Sequence, residues 1–259
     1  MKHSGHVTET FFTTIGSNEF PLNAEGVTRS ATVHEFGHGY FMGLIASNEF
    51  EAAWLDEGLT TWAENRCLSD IVTDGLVPEI RPGQVWGMER LWASFASIPV
   101  ILDRPNWEQR RLTDAFFASY ARPALVVKTL EGIYGEDRLL RAMRVFVAEH
   151  RFEHPTGADF QASLELALGE ELEWIFDAVV RGDHQPDWAV LSVRHDEFSP
   201  VGGMVWNDGD WTAAADDEDS DSQVDGPWRV SVEIGRRGDL VGPVEVELLW
   251  ADDRRERRR

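Results

Sequence analysis

Apolar positions recur at helical spacing through most of this chain and at strand spacing only near its end. Val33, Phe36, Gly37, Tyr40, Phe41 and Leu44 repeat at three and four residues and predict a helix from Gly26 to about Ala46. Asn48-Glu49 interrupts the pattern. Trp54, Leu55, Leu59, Trp62 and Ala63 predict a second helix from about Glu51 to Leu68, which a short loop folds back against the first. Pro78, Pro82 and Gly83 punctuate the chain before a helix over Val85 to Ala96. Residues 107–118 read as helical in part, and 119–134 as a helix with Pro123 in its first turn and Gly135 as its stop. Glu136 to His150 is the clearest amphipathic segment, with Leu139, Leu140, Met143, Phe146 and Val147 on one face. Thr156-Gly157-Ala158-Asp159 has the form of a capping box and opens a helix through Ala167; another runs from about Glu170 to Val180.

Strand patterning is sparser. One strand is expected at Glu9 to Ile15. Beyond Gly182, strand character returns at Asp187 to Arg194, at Arg229 to Ile234, and at Val244, Val246 and Leu248, with a hairpin turn expected around Arg236-Arg237-Gly238-Asp239. The fold class is therefore α+β. A mostly helical domain is expected at 1–185, its N-terminal strand region at 1–25, and a β-rich module at 186–259 carrying an acidic loop at 214–226.

Composition narrows the classes. With 259 residues, 42% of them hydrophobic and eleven of them Trp, the chain can bury a substantial core. A formal net charge of -22 opposes a phosphate backbone, so no nucleic-acid partner is expected. Cys67 is the only cysteine, which excludes an intrachain disulfide, and a small buried hydrophobe is expected there. No stretch of about 18 apolar residues is present, so no membrane span is expected. Met1 to His6 lacks the apolar run of a secretory leader, which makes the chain cytoplasmic by default unless it is a piece of a longer exported protein.

The chemistry concentrates in one stretch. His34-Glu35-Phe36-Gly37-His38 is followed, after eighteen residues, by Glu57 in Trp54-Leu55-Asp56-Glu57-Gly58. Histidines four apart on a helix share a face. Two imidazoles, one carboxylate and an open position make a catalytic zinc arrangement. Glu35 is turned about 100° from His34 and is placed to reach water rather than the metal. His150 and His154 are also four apart, but no Glu follows His150 and Pro155 ends the helix, so these read as surface residues. His3 and His6 belong to a polar terminus. Glu64, seven residues after Glu57, is on the same face, where a contact to a ligand histidine and an ordinary salt bridge are both open.

Residues 34–64, ending Trp-Leu-Asp-Glu-Gly-Leu-Thr-Thr-Trp-Ala-Glu, resemble the gluzincin zinc aminopeptidases of the membrane alanyl aminopeptidase (aminopeptidase N) type. Tyr120-Ala121-Arg122-Pro123 is similar to that family's catalytic-tyrosine segment, His150-Arg151-Phe152 through Asp159-Phe160 to a later helical pattern, and Asp187-Trp188-Ala189-Val190 to the entry of its small β domain. The likeness spans about residues 11–200. It implies a thermolysin-like peptidase domain followed by an incomplete β-sandwich-like module. It also implies one zinc ion on His34, His38 and Glu57, Glu35 as general base, Tyr120 as oxyanion donor, and peptide substrates cut at the N-terminal bond. Two departures accompany it. The family's amine-gripping Gly-x-Met-Glu-Asn aligns with Gly5-His6-Val7-Thr8-Glu9, which lacks the Met-Glu pair and leaves Glu9 two positions off. The family's large N-terminal β domain has no counterpart in this stretch. Two other readings stay open: a zinc peptidase without aminopeptidase specificity, and an inactive zinc-bound interaction module.

Overall fold

The computed structural model describes residues 7–9, 12–14, 24–75, 85, 99–197, 204–207, 210–213, 228–250 and 253–258. The chain divides into two compact units, Met1–Gln185 with Leu240–Arg259, and Pro186–Asp239. The first is mostly helical. Helix α1 spans Ala24–Phe41, α2 Glu49–Ala53 and α3 Leu59–Thr73. They are followed by α4 at Leu112–Phe116, α5 at Arg122–Tyr134, α6 at Glu136–His150, α7 at Gly157–Leu168 and α8 at Glu173–Ile175. Three π-turns join or end these helices: Trp54–Gly58 between α2 and α3, Phe117–Ala121 between α4 and α5, and Phe176–Val180 after α8.

The core forms where the apolar faces meet. Trp54, Leu55, Leu59 and Trp62 pack with Val127 and Leu130 of α5, Leu139 and Phe146 of α6, Phe160 and Leu164 of α7, and Phe176. The expected capping box is present: the Thr156 hydroxyl accepts from the Asp159 N–H while Asp159 accepts from the Thr156 N–H at 2.8 Å. Gly135, at φ +89°, closes α5 in a conformation that a side chain would strain. The helix of α5 starts later than its pattern suggests. Pro123 has no N–H to give the carbonyl of Ser119, and the ladder ahead of it widens into the π-turn that carries Tyr120.

Four expectations change. The strand at 9–15 is instead a hairpin, β1 (Val7–Glu9) with β2 (Phe12–Thr14), in which the backbones of Glu9 and Phe12 pair. Strand β3 (Trp188–Glu197) pairs antiparallel with β6 (Trp228–Arg236), β4 (Met204–Asn207) with β5 (Asp210–Ala213), and β7 (Val246–Leu249) with β8 (Arg255–Arg258). No hairpin therefore forms across residues 236–239. Leu240 is buried in the helical unit and its N–H donates to the Gln185 carbonyl, so the chain leaves the strand before it can turn back. Cys67 is exposed, because it shares the outward stripe of α3 with Asp70 while Leu59, Trp62 and Leu68 face the core. Helix α1 turns its apolar stripe outward at Phe36 and Tyr40, and buries His34, Glu35, His38 and Phe41. The helix expected from Val85 to Ala96, the acidic loop at 214–226, and His3 and His6 lie outside the described residues, apart from Val85 itself.

Candidate active site

Helix α1 packs on α3, and Gly37 lets them approach: a Cβ there would meet Thr60 Cγ2 at 3.0 Å. His34 and His38 then face the π-turn at Trp54–Gly58. His34 Nε2 lies 3.0 Å from Glu57 Oε2, His38 Nε2 lies 3.2 Å from the same oxygen, and the two Nε2 atoms are 3.1 Å apart. A tetrahedral metal with bonds of about 2.0–2.1 Å needs donor atoms roughly 3.3 Å apart. The triangle has that size, and two imidazoles with a carboxylate form a zinc-type donor set. Among the described residues, His34, His38 and Glu57 form the group of side chains that could hold a metal ion.

The far nitrogens are held as well. His34 Nδ1 is 3.0 Å from Glu64 Oε2, and the other Glu64 oxygen accepts from the Ser30 hydroxyl. His38 Nδ1 is 2.6 Å from Asp56 Oδ1, and Asp56 is only 2% exposed. A carboxylate on Nδ1 fixes that proton, which leaves Nε2 as the free donor atom. The sequence reading found Glu64 by its spacing and missed Asp56 and Ser30. Asp56 and Glu57 are adjacent, and a regular helix would turn them about 100° apart. The π-turn alters that spacing and lets both reach α1.

Tyr120 reaches the same centre from the second π-turn. Its hydroxyl donates to Glu57 Oε1 at 2.7 Å, and its ring stacks on His34 and on Phe116, with centroids 5.9 and 4.7 Å away. The two π-turns touch at Gly58, where a Cβ would lie 2.4 Å from Pro123 Cγ and 3.1 Å from the Ser119 carbonyl. Gly58→Val is expected to cost about 1–3 kcal/mol and to push Tyr120 away from Glu57; denaturant unfolding measures the first effect, and a crystal structure of the variant shows the second. Glu35 is 1% exposed beside His34. His150 and His154 take no part: His150 pairs with Ser163 at 3.2 Å, and exposed His154 with the Ala46 carbonyl at 2.8 Å. Tyr40 is exposed, and the side chain of Glu9 lies outside the described residues.

Anions crowd the centre. Burial disfavours charge on both imidazoles, but the carboxylates outweigh it. Glu57 and Glu64 raise His34 to about 9, and Asp56 and Glu57 raise His38 to about 10. Burial also opposes charge on Glu57, yet hydrogen bonds to His34 and His38 bring it down to about 2. Asp56 and Glu49 are pushed up, first by burial. Tyr120 is pushed far up by burial and by the Glu57 charge, so it stays a hydroxyl donor. A divalent cation would balance this excess of carboxylate.

Zinc needs both imidazoles neutral at Nε2. With His34 raised to about 9 and His38 to about 10, the metal-free pair carries at least one extra proton at pH 7. The raised histidines set the sign: protonated ligand competes more strongly as pH falls. Zinc uptake at pH 7 is expected to release at least one proton, and the apparent affinity to weaken at least about tenfold per pH unit below pH 9. Calorimetry in buffers of different ionisation enthalpy measures this; uptake without proton release would contradict it.

The chain matches the Peptidase family M1 domain over residues 17–179, which includes every residue of the centre just described. It belongs to peptidase family M1. Among curated M1 relatives, "Aminopeptidase M1" of Arabidopsis thaliana is 26% identical over 188 residues, covering 66% of this chain and 19% of that protein. "Aminopeptidase N" of Streptomyces lividans is 24% identical over 161 residues, covering 56% and 17%. The chain thus spans about a fifth of the length of the curated relatives it matches. The crystal structure of a two-domain M1 zinc metallopeptidase mutant bound to L-arginine aligns with a TM-score of 0.50 at 21% identity, over 68% of this chain and 36% of that one. The mostly helical M1 peptidase fold with short antiparallel strands is the one expected from the sequence. No described helix is long and apolar enough to cross a membrane.

Proposed function

We propose that this chain is a zinc-dependent aminopeptidase that hydrolyses the N-terminal bond of peptides. In this reading residues 1–185 form the catalytic domain and 186–259 a β-rich module. The observation that carries it is the triangle of His34 Nε2, His38 Nε2 and Glu57 Oε2, with a carboxylate on each far nitrogen and a tyrosine hydroxyl on the third ligand.

His34, His38 and Glu57 would hold one zinc ion, and the donor set fits it. Bound zinc supplies Lewis acidity that makes water a nucleophile near neutral pH. Glu35 takes the proton of the attacking water and delivers it to the leaving amine. The Tyr120 hydroxyl turns from Glu57 to the oxygen of the scissile carbonyl and donates to the negative charge that grows there. Asp56 and Glu64 keep the Nδ1 protons in place, so neither imidazole rotates.

The sequence lacks the Met-Glu pair expected in Gly5 to Glu9, so selection for a free α-amine is the finer part of this reading. It is tested with one peptide series bearing free and acetylated N-termini. The reading expects acetylated peptides to be cut at least about a hundredfold more slowly, the discrimination available to a site that hydrogen-bonds the missing group. Equal rates would leave a zinc peptidase of another specificity.

A further inference from the structure

The Glu64 carboxylate meets two donors, one on each oxygen. His34 Nδ1 lies 3.0 Å from Oε2, and the Ser30 hydroxyl donates to Oε1. Both donors come from α1, one turn apart on the face that packs on α3, where side chains four residues apart are neighbours at roughly 5–6 Å between Cβ atoms. A serine within a helix can turn its hydroxyl back onto the carbonyl four residues earlier, or out to water. Ser30 instead gives its one O–H proton to a carboxylate on the neighbouring helix.

The two imidazoles are held differently. Asp56, the partner of His38 Nδ1, has a side chain 2% exposed and sits in the π-turn next to Glu57. Glu64, the partner of His34 Nδ1, has a side chain 12% exposed. It also has one more rotatable bond than an aspartate, so ordering it costs more side-chain entropy. Burial fixes the first carboxylate. The second has an edge open to water and is fixed by a second anchor.

We infer that Ser30 is a positioning residue of the candidate metal site: its hydroxyl clamps Glu64 in the orientation that holds the His34 ring, and so sets the affinity for zinc. The inference rests on the zinc reading of His34, His38 and Glu57. Ser30 supplies no ligand atom and acts through Glu64. Without the clamp, Glu64 can swing towards water. His34 then loses the acceptor on Nδ1 that fixes its tautomer and the direction of Nε2.

Zinc affinity of the full chain, measured by competition with a chelator, tests this independently of catalysis. Ser30→Ala removes the hydroxyl and favours the helix. It should weaken zinc about tenfold, the lower end of the range for groups behind the ligands. Ser30→Thr keeps a hydroxyl and should stay within about threefold of wild type. Glu64→Ala should weaken zinc about 10–100-fold. In that background Ser30→Ala should add nothing, because the group it acts on is gone. A general loss of helix stability would produce neither the rescue by threonine nor this non-additivity. Equal affinity of wild type and Ser30→Ala, no rescue by Ser30→Thr, or a full Ser30→Ala loss in the Glu64→Ala background would overturn the inference and leave the zinc reading intact. A wild-type chain that takes up no zinc would overturn both.

Discussion

Glu35→Gln is expected to keep one zinc per chain and to lower kcat about 10²–10⁴-fold with little change in KM. The substitution preserves size and removes only basicity. Glu35 follows His34 on α1 and is 1% exposed. None of the three donor atoms of the triangle belongs to it. If Glu35 carries the proton from water to the leaving amine, an amide there stops both transfers while binding continues. Metal analysis with steady-state kinetics on an aminoacyl reporter measures both quantities. A variant with full zinc and unchanged kcat would remove Glu35 from the chemistry. A variant without zinc would mean that Glu35 supports the metal instead.

Tyr120→Phe is expected to have the next largest effect, a loss of about 10²–10³ in kcat, the range for removing one oxyanion donor. The ring can stay where it is, since the stacks on His34 and Phe116 need only its face. What goes is a hydroxyl that donates to Glu57 at 2.7 Å. Because burial and the Glu57 charge raise the Tyr120 pKa, the tyrosine remains protonated through neutral and moderately alkaline pH. The wild-type rate should therefore show no alkaline fall caused by Tyr120 across that range. Zinc content in the phenylalanine variant should equal wild type, and a loss of metal would show that the hydroxyl mainly holds Glu57.

The convergence of His34, His38 and Glu57 is legible in the sequence because it rests on helical spacing and on a helical hairpin. His34 and His38 share a face at four residues, and a helical hairpin returns Glu57 to them. Glu64 is legible from the seven-residue spacing for the same reason. Asp56 is hidden, since a pattern of 3.6 residues per turn cannot register a π-turn. The facing of α1 is hidden too. Its apolar positions suggest a buried stripe at Phe36 and Tyr40, but burying His34, Glu35 and His38 beside the carboxylates of the next helix turns that stripe outward. At the other end, the alternation of Val230, Val232 and Ile234 identifies a strand without naming its partner. The burial of Leu240 carries the chain out of the strand, and β3 becomes the partner in place of β7.

One measurement bears most directly on the candidate metal site: anomalous diffraction from crystals of the zinc-loaded chain, collected on both sides of the zinc edge. A single peak per chain is expected, about 2.0–2.1 Å from His34 Nε2, His38 Nε2 and a Glu57 oxygen. No peak within that triangle, or a peak held by other side chains, would contradict the account.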